Sequence, residues 1–243
     1  MPAGVSALTS CRHGGTSAPP WATLNLANRV GDDDASVVEN RRLLREQAQL
    51  PAEPMWLNQQ HTARVTVVAD AADLAADTSQ IASDACVCDL AEQVCVVLTA
   101  DCLPILVCSA DGSQIAAIHA GWRGLAAGII ANTLAGFNPG ESPPSAWIGP
   151  AISARHYVID EPLYQRFIQL DAAYHAYFEK TDHSGADTQY HMDLAAIATL
   201  QLNRAGVDQV FHSGLCNYAD NHFFSYRRDG ITGRMATMIW KSA

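Results

Sequence analysis

The chain predicts a single α+β domain, on three observations. Short apolar runs gather in its middle, at Val94 to Thr99, Ile105 to Cys108 and Gln114 to His119, and suit buried strands. Helical patterns lie on both sides of them, neither alternating strictly with strands nor clustering at one end. No Gly-, Ser- or Pro-rich linker divides the 243 residues, the short stretch Asn138 to Ser145 being the nearest candidate. A chain of this length buries roughly 70–75% of its unfolded surface, enough for one substantial core.

The elements follow in order. Asp32, Asp33 and Asp34 lead into a first helix, where Ser36 and Glu39 read as an S-x-x-E capping box. That helix runs to about Leu50 and is closed by Pro51. Val65 to Val68 reads as a short strand. The Ala- and Asp-rich stretch Ala69 to Asp89 reads as a surface excursion with room for a short helix. Past the three central strands, Gly121 and Gly124 punctuate the chain before a helix at Leu125 to Leu134. Asp160 caps a helix through Leu170, with Pro162 tolerated in its first turn. Asp193 to Ala205 forms another, stopped by Gly206. Strands then follow at Gln209 to His212, Phe223 to Arg227 and Met235 to Trp240.

Composition excludes several classes of function. Hydrophobic residues make up 49% of the chain and the net charge is −10, so no basic face is expected for nucleic acid or an anionic membrane. Apolar stretches such as Val94 to Leu98 and Gly124 to Ala131 are too short to span a bilayer, and Met1 to Gly15 lacks the pattern of a secretory signal. Seven cysteines, an odd number, predict free thiols and a reducing cytoplasm rather than a disulfide framework.

Four groups of residues can carry chemistry. Cys102, in Ala100-Asp101-Cys102-Leu103-Pro104, stands just beyond an apolar strand. His119 ends another strand ahead of Gly121-Trp122-Arg123-Gly124, and His61, after Gln59-Gln60, precedes a third. One thiolate and two imidazoles from separate elements make a three-ligand zinc site with an open fourth position. The same residues also suit a buried core thiol and two hydrogen-bonded turn histidines, because free cysteine is among the most buried residue types. The fourth group runs from Phe223 to Gly230 and on to Arg234. Adjacent strand residues face opposite sides, so only one of Arg227 and Arg228 enters a given pocket. An anion-binding edge and a solvated hairpin with a salt bridge to Asp229 both fit.

Other features read more plainly. Cys86-x-Cys88 with Cys95 nearby does not complete a zinc site. His175, His183 and His191 are scattered through a polar region and read as solvated. Trp122, Trp147 and Trp240 read as core aromatics, Trp122 also being placed to wall a pocket.

These motifs resemble those of the YfiH-like family, long labelled multicopper polyphenol oxidoreductases of a laccase domain and now described as zinc-dependent purine nucleoside phosphorylases. The resemblance rests on Thr99-Ala100-Asp101-Cys102-Leu103-Pro104, His119-Ala120-Gly121-Trp122-Arg123-Gly124-Leu125 and Phe223-Phe224-Ser225-Tyr226-Arg227-Arg228-Asp229. Thr23-Leu24-Asn25-Leu26, Glu39-Asn40-Arg41, Gln60-His61 and Trp147-Ile148-Gly149-Pro150 extend it over nearly the whole chain. It implies packed β-sheets flanked by helices, and one zinc ion per chain on His61, Cys102 and His119. It also implies phosphorolysis of adenosine, inosine, guanosine or methylthioadenosine, with adenosine deamination as a second activity. Cys102, Asp101 and Arg123 are then the expected catalytic residues, and Arg41 and Arg227 the expected phosphate binders. The partners implied are a small nucleoside and phosphate, and the chain is expected to act as a monomer or homodimer.

The laccase label conflicts with the histidine pattern. A multicopper cluster takes about ten histidines, largely in H-x-H pairs, and this chain has nine and no such pair, so copper is disfavoured. Two rival readings stand beside the phosphorylase. Cys102 can serve as the nucleophile of an amide hydrolase acting on cell-wall precursors, with His119 as base and Asp101 nearby. The chain can also be a non-catalytic metal- or nucleotide-binding protein.

Overall fold

The structure is a computed structural model and describes residues 2–70, 80, 82–138, 142–181 and 187–242. Its centre is a six-stranded mixed sheet in the order β11-β7-β5-β6-β3-β2, formed by β2 (Val65–Val68), β3 (Ala85–Cys88), β5 (Leu103–Cys108), β6 (Ile115–Ala120), β7 (Ser145–Ile148) and β11 (Gln209–His212). The inner strands are apolar on both faces, as a sheet covered on both sides requires. Val87, Ile105 and Ile118 face a helical layer, while Cys86, Leu106 and Ala117 face a second sheet.

That second sheet is antiparallel, in the order β1-β12-β4, from β1 (Val5–Thr9), β4 (Val94–Thr99) and β12 (Met235–Lys241). Cys95, Val97 and Ile239 point from it towards the central sheet, whereas Val94, Val96 and Met238 point outward and are covered by Leu44 of α1 (Asp34–Gln47) together with Leu26 and Trp56. The helical layer holds α2 (Trp122–Ala126), α3 (Ile129–Leu134) and α5 (Leu194–Arg204). A small sheet, β8-β10-β9, from β8 (Val158–Asp160), β9 (Phe178–Lys180) and β10 (Gln189–Met192), continues that core with α4 (Glu161–Leu170). The α+β architecture of packed sheets flanked by helices is the one observed.

Several local expectations are corrected. The first helix is capped by Asp33, whose carboxylate accepts the Ser36 N–H at 2.8 Å, and Glu39 pairs with Arg42 instead of closing a capping box. It ends at Gln47, because Gln49 adopts a left-handed conformation with φ 50°. The Ala69 to Asp89 stretch is not all surface: Ala85, Cys86, Val87 and Cys88 are completely buried in β3, and the short helix expected within it falls largely outside the described residues. Gly128, at φ 84°, divides the helix expected at Leu125 to Leu134 into α2 and α3. The strand expected at Phe223 to Arg227 is instead an extended approach to α6 (Tyr226–Asp229), started by the Ser225 hydroxyl, which accepts the Arg228 N–H. Strands β1, β7, β8, β9 and β10 are three to five residues long, too short to display a period.

Candidate metal centre and its cavity

The strand register assembles the site. Residues 100–102 carry the chain from β4 in one sheet to β5 in the other, and Asp101 turns this corner with φ 100°. In the β5–β6 pair Leu103 stands opposite Ala120, so Cys102 lies beside Gly121 at the end of β6. A Cβ on Gly121 would come within 2.7 Å of Cys102 Sγ, so the thiol takes the space that only glycine leaves. On the other side of β6, Ala85 pairs with Ile118, which puts Asp84 next to His119.

Asp84 organises everything around it. Its Oδ1 lies 2.8 Å from His119 Nδ1, and its two oxygens accept the backbone N–H groups of Gln60, His61 and Thr62 at 3.2, 2.9 and 2.7 Å. The Thr62 hydroxyl donates to it as well, at 2.7 Å. Burial works against ionisation, yet the bonds from His119 and Thr62 outweigh it and hold the carboxyl down at about 2. A single buried carboxylate therefore fixes the His61 loop and turns the His119 ring so that Nε2 is left for a ligand.

The result is a group of three. One ligand atom each from His61, Cys102 and His119 lies within 4.8 Å of the others, and the thiol is 3.9 Å from His61 Nε2. Burial opposes ionisation of Cys102, but the imidazoles of His119 and His61 bring the thiol down to about 6. Burial likewise disfavours a charged His119, and the Cys102 thiolate and Asp84 raise it to about 9. A pocket that stabilises a thiolate and presents two imidazoles, one oriented by a carboxylate, has the donor chemistry of a three-ligand metal site. Among the described residues it is the one such group. The thiol pair Cys86 and Cys88, with Cys95, is fully buried and gathers no imidazole.

The three residues open onto a cavity of about 600 Å³, within the range of small-molecule sites. Asp101, Trp122, Arg123, Tyr157 and Arg227 line it, as do Arg29 and Arg234. Asp101 Oδ2 accepts the Arg227 N–H at 2.6 Å, while its buried Oδ1 has no hydrogen-bond partner among the described residues, and burial pushes the carboxyl up. The Arg123 guanidinium lies 4.4 Å from the Trp122 ring centre and that of Arg227 lies 4.9 Å from Tyr157. Arg228 turns away to bind Asp229 and the carbonyls of Asn217, Tyr218 and Phe223.

Arg41 is not brought to the cavity. Two of its nitrogens hold the Leu26 carbonyl, its guanidinium stacks 4.1 Å from Trp56, and burial lowers it to about 10. His175 Nδ1 meets the Tyr164 hydroxyl at 2.8 Å, His191 faces the Ala154 carbonyl, and His183 lies outside the described residues. Sequence reasoning missed Asp84, Arg29 and Tyr157. The apolar run Ala85-Cys86-Val87-Cys88 was the available signal for the strand that carries Asp84 into the core.

Fold and site define an α+β protein that holds a His–Cys–His ligand group where the chain crosses between two sheets, at the floor of an arginine-lined cavity. The chain belongs to the family described as multi-copper polyphenol oxidoreductase laccase, whose profile matches residues 6–242, and within it to the YfiH-like proteins. It is 39% identical to the Escherichia coli protein named purine nucleoside phosphorylase YfiH, over 99% of this chain and 95% of the relative. It is 36% identical to a Haemophilus influenzae protein named purine nucleoside phosphorylase, over 99% and 96%. A crystal structure of a Neisseria meningitidis protein superposes with a TM-score of 0.88 at 39% identity, covering 100% of this chain and 96% of the other.

Proposed function

We propose that this chain is a purine nucleoside phosphorylase, with zinc on His61, Cys102 and His119. The observation that carries the reading is the meeting of a three-ligand group and several arginines in one cavity, in a chain related over its full length to proteins bearing that name. One thiolate and two imidazoles suit zinc better than a copper cluster. Bound there, the metal supplies Lewis acidity to an oxygen in the cavity.

The chain's own residues do the rest. In phosphorolysis a phosphate oxygen forms a bond to the sugar C1′ as the bond to the purine nitrogen breaks, and positive charge develops at C1′. Arg227, with Arg123 as its neighbour in the lining, holds the phosphate by charge-assisted hydrogen bonds. Asp101 fixes the α6 turn by accepting the Arg227 N–H. Trp122 and Tyr157 offer aromatic walls to the nucleoside. Adenosine deamination belongs to the same proposal as a second reaction. The seven free cysteines support a reducing, cytoplasmic setting.

One observation favours a second reading. Asp84, His119 and Cys102 are arranged as acid, base and thiol, the order a cysteine hydrolase uses. The readings part over His61, which a hydrolase does not need, and over alkylation. A zinc-bound Cys102 resists alkylation until the metal is chelated, whereas a free nucleophile reacts with metal present and is trapped as an acyl adduct. A nucleoside panel tests the main reading: purine and ribose 1-phosphate are expected from inosine only with phosphate present. Base release at the same rate without phosphate overturns it.

A further inference from the structure

A second thiol–imidazole pair stands apart from the metal centre. After β11 the chain runs parallel to the segment that follows β7. Ala151 donates to the Leu215 carbonyl and Asn217 to that of Ala151, so Cys216 is clamped beside Ala151. The next residues after Ala151 turn at Ser153 into a short 3₁₀ helix, Ala154–His156. This brings His156 back over the thiol, with Nδ1 at 3.5 Å from Cys216 Sγ. The ring is fixed by Ser153 Oγ at 3.2 Å from the same nitrogen and by Tyr218, stacked at 4.6 Å with an interplanar angle of 20°.

The sulfur is also met by donors. The Ser153 backbone N–H points at Sγ from 3.4 Å. Burial raises the thiol, but the Ser153 hydroxyl and N–H, with the amides of Tyr218 and Ala219, bring it below its ordinary value. Cys216 is half-buried and so stays open to a small reagent, unlike Cys86, Cys88, Cys95 and Cys108. Partial exposure, an adjacent imidazole and converging N–H groups are the surroundings of reactive cysteines. None of Ser153, His156, Cys216 or Tyr218 is among the residues that line the metal-centre cavity.

We propose that Cys216, with His156 and Ser153, is a thiol-modification site that takes low-molecular-weight disulfides. His156 accepts the Cys216 proton, and the thiolate attacks one sulfur of the disulfide. A new S–S bond forms as the original one breaks, and the departing thiolate recovers the proton. The products are a mixed disulfide on Cys216 and one free small thiol. No outside oxidant beyond the disulfide is required.

Cys11 serves as an internal reference, because it is exposed and its thiol meets the His13 carbonyl at 3.9 Å with no imidazole bonded to it among the described residues. The test treats the metal-loaded full chain with oxidised glutathione at neutral pH and follows the adduct on each cysteine by peptide mass spectrometry. Cys216 is expected to react faster than Cys11 by about fivefold or more, despite being less exposed. His156→Asn and Ser153→Ala should slow Cys216 and leave Cys11 unchanged. A Cys216 rate at or below that of Cys11 in the unaltered protein overturns the proposal without any variant. An unchanged Cys216 rate in His156→Asn overturns it equally.

Discussion

Cys95 and Cys102 are seven residues apart, one on β4 and the other at the corner that follows it, yet their thiols are driven in opposite directions. Cys95 is fully buried, and the neighbouring thiols Cys86 and Cys88, together with burial, push it well up. Cys102 also feels burial, but two imidazoles bring it down to about 6. At Cys95, burial between apolar sheet faces beside two other sulfurs disfavours the thiolate. One sulfur beside two imidazoles, with a carboxylate behind them, has the surroundings of a metal ligand. Charge partners decide the chemistry here, and the number of thiols does not.

The sharpest way to break this contrast is to remove a ligand from one region and a thiol from the other. His61→Ala should reduce bound metal from near one per chain to a small residue, while Cys95→Ala keeps it, as measured by metal analysis after gel filtration. Full metal content in His61→Ala removes that residue from the centre. Asp84→Asn tests the carboxylate's part. It should weaken metal affinity on the order of 10–100-fold while the chain stays folded. An unchanged affinity leaves Asp84 a purely structural group.

Arg227 and Arg41, both expected from the motifs to bind phosphate, supply a smaller effect. Arg227→Ala should raise the phosphate KM by about tenfold or more with little change for the nucleoside, since a charge-assisted hydrogen bond contributes about 1.5–3 kcal/mol. Arg41→Ala should leave that KM alone and lower Tm, because its guanidinium holds the Leu26 carbonyl and packs on Trp56. Equal phosphate effects would mean that the cavity extends to Arg41.

Smallest is a spectroscopic difference in metal-free protein. The Cys102 thiol is depressed, so its thiolate is present above about pH 6 and lost as pH falls through that value. The thiolate absorbance lost at pH 7.5 when Cys102 is replaced by Ala should correspond to about one thiolate. His119→Ala removes the main partner and should move the transition upward, towards ordinary thiol behaviour. A thiolate that survives unchanged in His119→Ala contradicts the assigned cause.

Much of the centre was legible because it lies at strand ends. Cys102 and His119 each close or follow a short apolar run, and a glycine turn beside them leaves room for a reactive group. Asp84 was hidden because its role depends on a partner 35 residues away in sequence, His119, one step of register beyond the pairing of Ala85 with Ile118, in a stretch whose Ala and Asp content reads as surface. Of Arg227 and Arg228 only the first lines the cavity, and a helical turn separates them, not the alternation of a strand on which the expectation rested. Arg41 sits in a matching motif, but a motif does not say which way a side chain points. The split at Gly128 was equally silent, since both halves bury the same apolar residues.

Nucleoside chemistry is proposed to occur at the His61–Cys102–His119 group. Ribose 1-phosphate formed from inosine and phosphate should therefore be followed by ³¹P NMR in the metal-loaded chain, after chelation, after zinc is restored, and in His61→Ala. Turnover is expected to be lost on chelation, recovered with zinc, and absent from His61→Ala at equal protein concentration. Ribose 1-phosphate produced at the original rate by the chelated protein, or by a folded His61→Ala chain, would contradict the proposal.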